Sequence, residues 1–145
     1  METVRDILQR KGNEVYAVSP DDSIYRALEV MAEKNIGAVL VIEDGQLVGV
    51  FSERDYARKV VLKGKSSRET KVREAMTSPV AYVRPENTIE ECMALMTDKH
   101  IRHLPVLEGN RLIGVISIGD VVHAKISEQA FHIRQLENYI TGSPA

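Results

Sequence analysis

The chain's 145 residues, 43% apolar and 28% charged, can bury a substantial core but leave room for little more than one compact domain. A formal charge of −2 and a pI near 6.1 lack the basic excess of phosphate-backbone recognition, so nucleic acid is not the expected partner. The one cysteine, Cys92, excludes an intramolecular disulfide and points to a reducing compartment, read as the cytoplasm, and with no apolar run longer than Ala38 to Ile42 neither a membrane span nor secretion is expected.

In chain order, a short preface VRDIL (Val4 to Leu8) is followed by Val18 and Pro20. The polar cluster Asp21 to Ser23 then starts an amphipathic helix carrying Ile24, Leu28 and Met31 at helical spacing. AVLVI (Ala38 to Ile42) is too apolar for a half-exposed strand and predicts one covered on both faces. Asp44-Gly45 supplies residues suited to positive φ, LVGVF completes a hairpin, and a second helix starts at Ser52. Lys63 to Thr70 (KGKSSRET) has no apolar periodicity and contains the linker, placed at about 65–70.

The same order then returns. Residues 18–55 match 83–120 at a constant offset of 65, with identities that include Val18/Val83, Pro20/Pro85, Met31/Met96, Val41/Val106, Gly49/Gly114, Ser52/Ser117 and Asp55/Asp120. VREAM (Val72 to Met76) answers VRDIL at an offset of 68. The second copy has its helix at Ile89, Met93 and Met96, its strand at LPVL (Leu104 to Leu107), its turn at Gly109-Asn110, its second strand at LIGVI, and its second helix from Ser117. Each copy therefore reads strand, helix, strand, strand, helix, an α/β (α+β) arrangement, with repeat one at about 3–64 and repeat two at about 71–128. A helical extension over 129–141 keeps an apolar stripe through Val122, Ile126, Ile133, Leu136 and Ile140, and Gly142 to Ala145 read as a frayed end. Val60, Val61 and Leu62, with Ile133, Leu136 and Ile140, have no evident intrachain cover and point to a homodimer.

Both copies carry Gly, then Ser and Asp three apart, where a strand gives way to a helix: GVFSERD (Gly49 to Asp55) and GVISIGD (Gly114 to Asp120). Ser-x-x-Asp fits a capping box. It equally fits a ligand site, because a helix N-terminus offers N–H groups to phosphate and a carboxylate can accept both hydroxyls of a ribose. On that reading the preceding glycine lets a ligand approach the strand closely.

These segments, with the VRDIL and VREAM openings and the RHLPV strand (Arg102 to Val106), resemble the tandem CBS domain, the family named for cystathionine β-synthase. The resemblance covers about residues 3–125 and implies two repeats related by a pseudo-two-fold axis and packed into one disc. It also implies a regulatory rather than catalytic role, and a cleft at each end of the interface for an adenosine-containing ligand: AMP, ADP, ATP or NAD. Carried over by residue, Asp55 and Asp120 hold ribose hydroxyls, and Ser52 and Ser117 contact ribose or phosphate. Family clefts are composite: Arg102 and His103 complete the one with Asp55, joined by Arg54 and Arg58 at the phosphate and by Val83 at the adenine. The reciprocal cleft combines Ser117 and Asp120 with Val18, Gly37 and Ala38. Gly37 and Ala38 stand where the second copy has Arg102 and His103, so the two clefts are expected to be unequal.

Other residues point to bland roles. His100 and His103 have no Cys or third His nearby in sequence, so no metal is expected; Cys92, on the helix face of Ile89 and Met96, reads as a buried inert thiol. The basic stretch from Arg54 to Arg68 reads as a solvated face. Nothing resembles a nucleophile with its base, a P-loop lysine or a metal triad, so no enzyme activity and no required cofactor are expected. The leading reading is a sensor of adenosine-containing ligands acting on a regulated protein. The alternative is a protein-interaction and dimerisation module with vestigial clefts.

Overall fold

The computed structural model describes the backbone of residues 2–141 and the side chains of residues 2–129. In chain order its elements are α1 (Val4–Lys11), β1 (Ala17–Val18), α2 (Ile24–Lys34), β2 (Ala38–Glu43), β3 (Gln46–Ser52) and α3 (Glu53–Asp55), which runs into a π-helix (Tyr56–Val61). A 3-10 turn (Val72–Glu74), α4 (Ile89–Lys99), β4 (His103–Glu108), β5 (Arg111–Ser117) and α5 (Ile118–Thr141) follow. The chain divides into two compact units: the first is Glu14–Tyr82, and the second joins the chain start through Asn13 to the chain from Val83 onward.

In the first unit β1 runs parallel to β2, and β2 pairs antiparallel with β3. Val39, Leu40 and Val41 are consecutive buried residues, as an apolar run without alternation requires of a strand covered on both faces. Asp44 (φ 51) and Gly45 (φ 76) supply the two positive φ angles of a two-residue hairpin turn. Ser23 caps α2 by accepting the Arg26 N–H at 3.1 Å, and the helix ends in the left-handed Asn35. Its buried face, Ile24, Ala27, Val30 and Met31, joins Val18, Val39, Val41, Phe51, Val60 and Val72 in one core. Val60 is therefore covered within the chain, contrary to the sequence reading, while Val61 and Leu62 stay exposed. The helix after Ser52 changes its winding: after one α turn, Leu62 N–H donates to the Ala57 carbonyl at 3.0 Å and Lys65 N–H to that of Val60 at 2.9 Å, both five residues back.

The second unit repeats the hairpin with β4 and β5, including the bulge between Val106 and Leu107 that matches the one between Val41 and Ile42. Here the leading strand shrinks to a single parallel bridge, in which Val83 donates its N–H to Pro105 (3.0 Å) and accepts that of Leu107 (2.9 Å). Of the Gly109-Asn110 pair only Gly109 takes positive φ. Thr88 caps α4 in a capping box with Glu91, His100 ends the helix in the left-handed region, and Cys92 is buried beside Ile89 and Met96. The predicted extension is helical through Thr141. The side chains of Ile133, Leu136 and Ile140, and the expected frayed end Gly142 to Ala145, lie outside the described residues.

The two prefaces are exchanged. Val4 and Arg5 donate their N–H groups to the carbonyls of Asn87 and Pro85, both at 2.9 Å, while Val72 and Arg73 donate to Asp22 (2.8 Å) and Pro20 (2.9 Å). The preface written before the first copy thus docks on the second copy, and the one before the second copy docks on the first. Ion pairs repeat the exchange: Arg5 meets Glu86 (3.3 Å) and Glu108 (2.8 Å), and Arg73 meets Asp21 (3.2 Å) and Glu43 (2.9 Å). The linker takes part, since the Thr70 and Ser67 carbonyls accept the first two free N–H groups of α2, from Ile24 and Tyr25, both at 2.9 Å.

Candidate functional site

Each unit carries one strand-to-helix junction, and the duplication gives both the same backbone frame. In the first unit Ala38 lies opposite Ser52 in the ladder, and the Gly37 carbonyl accepts the Glu53 N–H at 3.0 Å. In the second, His103 lies opposite Ser117, and the Arg102 carbonyl accepts the Ile118 N–H at 2.8 Å. The start of the first hairpin strand is thereby fixed against the Ser-x-x-Asp turn in both units. Val18, Gly37, Ala38, Ser52, Arg54 and Asp55 belong to the first unit, and Val83, Arg102, His103, Ser117 and Asp120 to the second. Arg58 and Arg102 are exposed, Arg54 and His103 half-buried.

Both Ser-x-x-Asp segments form capping boxes. Ser52 N–H donates to Asp55 Oδ2 at 3.0 Å, and Ser52 Oγ accepts the Asp55 N–H at 3.2 Å. Ser117 N–H donates to Asp120 Oδ2 at 2.7 Å, and Ser117 Oγ accepts the Asp120 N–H at 3.2 Å. The two carboxylates differ in what else holds them. Asp55, only 8% exposed, accepts the Thr77 hydroxyl on Oδ1 at 2.9 Å and pairs there with Lys59 at 3.1 Å, while Ser52 Oγ also donates to its Oδ2. Asp120 takes its cation from far away in sequence: Lys11 Nζ donates to Oδ2 at 2.7 Å and to the Val115 carbonyl at 3.0 Å. Burial pushes the Asp120 carboxyl pKa up, but the bonds from Lys11 and Ser117 outweigh it and hold the group below its ordinary value.

Lys11, Thr77 and Lys59 escaped the sequence reading. Lys59 had a local signal, lying four residues after Asp55 on one helical face. Lys11 and Thr77 follow the two prefaces, and nothing in their own segments says which acid they will meet.

The glycines before the junctions answer to the prefaces. A Cβ on Gly114 would sit 2.8 Å from Leu8 Cδ2, and one on Gly49 would sit 2.6 Å from Met76 Sδ. The close approach expected of a ligand is made instead by a preface side chain, because Leu8 and Met76 pack straight onto the glycine Cα.

A groove of about 480 Å³ lies beside α1 in the second unit, lined by Arg5, Leu8, Gln9, Gly12, Asn13, Pro85 and Ile113, and contains none of the predicted ligand residues. Burial pushes the Cys92 thiol up to about 11, with Glu91 adding to the shift, so the thiolate is scarce at neutral pH. Among the described residues no group of three His, Cys, Asp or Glu side chains could hold a metal ion, and no helix is long and apolar enough to cross a membrane.

Two α/β units built from one duplicated plan, each ending its hairpin in a Ser-x-x-Asp junction, define a tandem-repeat module of the regulatory, ligand-binding class. The chain belongs to the CBS domain family, whose model matches residues 4–62 and 72–127. It is similar to the mitochondrial CBS domain-containing protein CBSX3 of Arabidopsis thaliana, 38% identical over 97% of this chain and 72% of that protein. It is also similar to the CBS domain-containing protein YhcV of Bacillus subtilis, 31% identical over 90% of each. A putative signal-transduction protein with CBS domains from Burkholderia ambifaria is 51% identical and superposes with a TM-score of 0.86 over 88% of this chain and 96% of that one.

Proposed function

We propose that the protein is a regulatory sensor that binds an adenosine-containing ligand (AMP, ADP, ATP or NAD) at its Ser-x-x-Asp junctions and passes the occupancy to a protein it regulates. The observation that carries this reading is the pair of carboxylates, Asp55 and Asp120, set at strand-to-helix turns beside helix N-terminal N–H groups. That combination suits a sugar diol and a phosphate. His103 opens β4 opposite Ser117 in the ladder, with Arg102 just before it. The lone buried Cys92 favours the cytoplasm, and the balanced charge favours a small molecule over nucleic acid.

A second reading, a protein-interaction and dimerisation module with vestigial clefts, draws on the capping boxes, since both acids already serve the chain itself. A melting screen separates the two. A ligand bound only to the folded chain stabilises it by about 2.7 kcal/mol at a hundredfold excess over Kd, so at least one of AMP, ADP, ATP and NAD at millimolar concentration should raise Tm. An unmoved Tm with all four favours the vestigial module.

A further inference from the structure

The two junctions differ most in how their acids are closed. At Asp55 both carboxylate oxygens are filled from within the unit, Oδ2 by Ser52 and Oδ1 by Thr77 and Lys59. At Asp120 every described hydrogen bond goes to Oδ2, and Oδ1 accepts none among the described residues. The cation on Oδ2 is Lys11, the last residue of α1, and its side chain is 37% exposed against 23% for Asp120. Its ammonium has three N–H donors, of which Asp120 and the Val115 carbonyl use two.

Accepting the reading that a ribose diol binds Asp120, on which this inference rests, one hydroxyl can take Oδ1 and the other must compete with Lys11 for Oδ2. A lysine displaced from its carboxylate is an ammonium without its counter-charge. A 5′-phosphate on the same sugar restores that charge within reach of a flexible four-carbon stem, whereas a nucleoside offers nothing to replace it. We infer that Lys11 is a specificity-determining residue of the Ser117–Asp120 junction: it passes from Asp120 to the phosphate of the bound ligand, so that the junction selects nucleotides over nucleosides.

Calorimetric titration of the full chain with AMP and with adenosine tests this, Asp120→Asn identifying the binding that belongs to this junction. The chain should prefer AMP. Lys11→Met should cut the AMP-to-adenosine preference about tenfold or more, the scale of one charge-assisted hydrogen bond, and Lys11→Arg should keep most of it. Should Lys11→Met fail to fold, Lys11→Gln removes the charge while leaving a donor for the Val115 carbonyl. An unchanged preference in the folded, charge-free variant overturns the inference and leaves the sensor reading standing, and so does an equal rise in affinity for both ligands, which would make Lys11 a competitor only. Binding of neither AMP nor adenosine to the parent chain, in a protein whose melting curve shows it folded, overturns the inference, and the sensor reading falls as well if ADP, ATP and NAD also fail.

Discussion

At Asp120 the bonds from Lys11 and Ser117 work against burial, and the balance sets how this acid contributes to stability. Its folded pKa lies below its ordinary value of 3.8, so the unfolded chain binds the proton more readily and the ionised form favours folding. That contribution is complete above about the unfolded value and is lost as pH falls through the lower folded value. The stability difference between the parent chain and Asp120→Asn should therefore hold from pH 7 to about 5 and shrink steadily below about pH 4, as read by denaturant unfolding at a series of pH values. A difference that grows on acidification would contradict the sign. Asp55→Asn should cost more than Asp120→Asn at pH 7, about 2 kcal/mol against about 1, because Asp55 is the more buried and uses both oxygens. The Ser-x-x-Asp spacing announced both caps, but the cations that distinguish the acids were only partly legible. Lys59 shares a helix with its acid, whereas Lys11 meets Asp120 across 109 positions of chain, a separation that no local pattern encodes.

Between elements, the decisive contact is a preface side chain on a strand glycine. Leu8 is 5% exposed and packs on Gly114; Met76 packs on Gly49, where the Thr77 carbonyl would also lie 3.2 Å from an added Cβ. Overpacking of this kind costs about 1–3 kcal/mol. Gly114→Ala should fall at the low end, because only the tip of Leu8 must yield, and Gly49→Ala at the high end, because a backbone oxygen cannot. Leu8→Ala opens a cavity costing about 2–5 kcal/mol, but it also makes room for the new methyl, so Leu8→Ala with Gly114→Ala should cost less than the two single changes added. Denaturant midpoints for the four proteins of that cycle give the coupling, and additivity within about 0.5 kcal/mol would place Leu8 elsewhere. The constant offset of 65 made hairpins, helices and caps readable because each depends on residues close in sequence. The preface exchange was not readable: either copy offers Val4 or Val72 the same pair of carbonyls, and only the tertiary path of the chain decides which it reaches. The π winding after Asp55 has no evident cause in the residues Tyr56 to Val61 themselves.

For the whole molecule, the surface left over by the fold argues for self-association. Ile118, Val122 and Ile126 recur every fourth residue along one face of α5 and are 41%, 43% and 59% exposed, and Met93, on the neighbouring α4, is 39% exposed. A contiguous apolar stripe of this kind exceeds what an isolated soluble chain usually leaves to water once it passes a few hundred Å². A second copy offers the same stripe, and pairing like with like about a two-fold axis closes the assembly without leaving a new edge. We therefore propose a homodimer joined through α5, and sedimentation at micromolar concentration should return a mass of twice the 16.2 kDa chain. Changing Val122 and Ile126 together to Lys places two ammonium groups of each copy in the contact, where burying an unpaired charge is prohibitive. The variant should sediment as a single chain while keeping its helical circular dichroism, because both positions are exposed rather than part of the core. A parent protein that sediments as one chain would dispose of the dimer, and a variant that still sediments as two would move the contact away from α5, towards the exposed Val61 and Leu62.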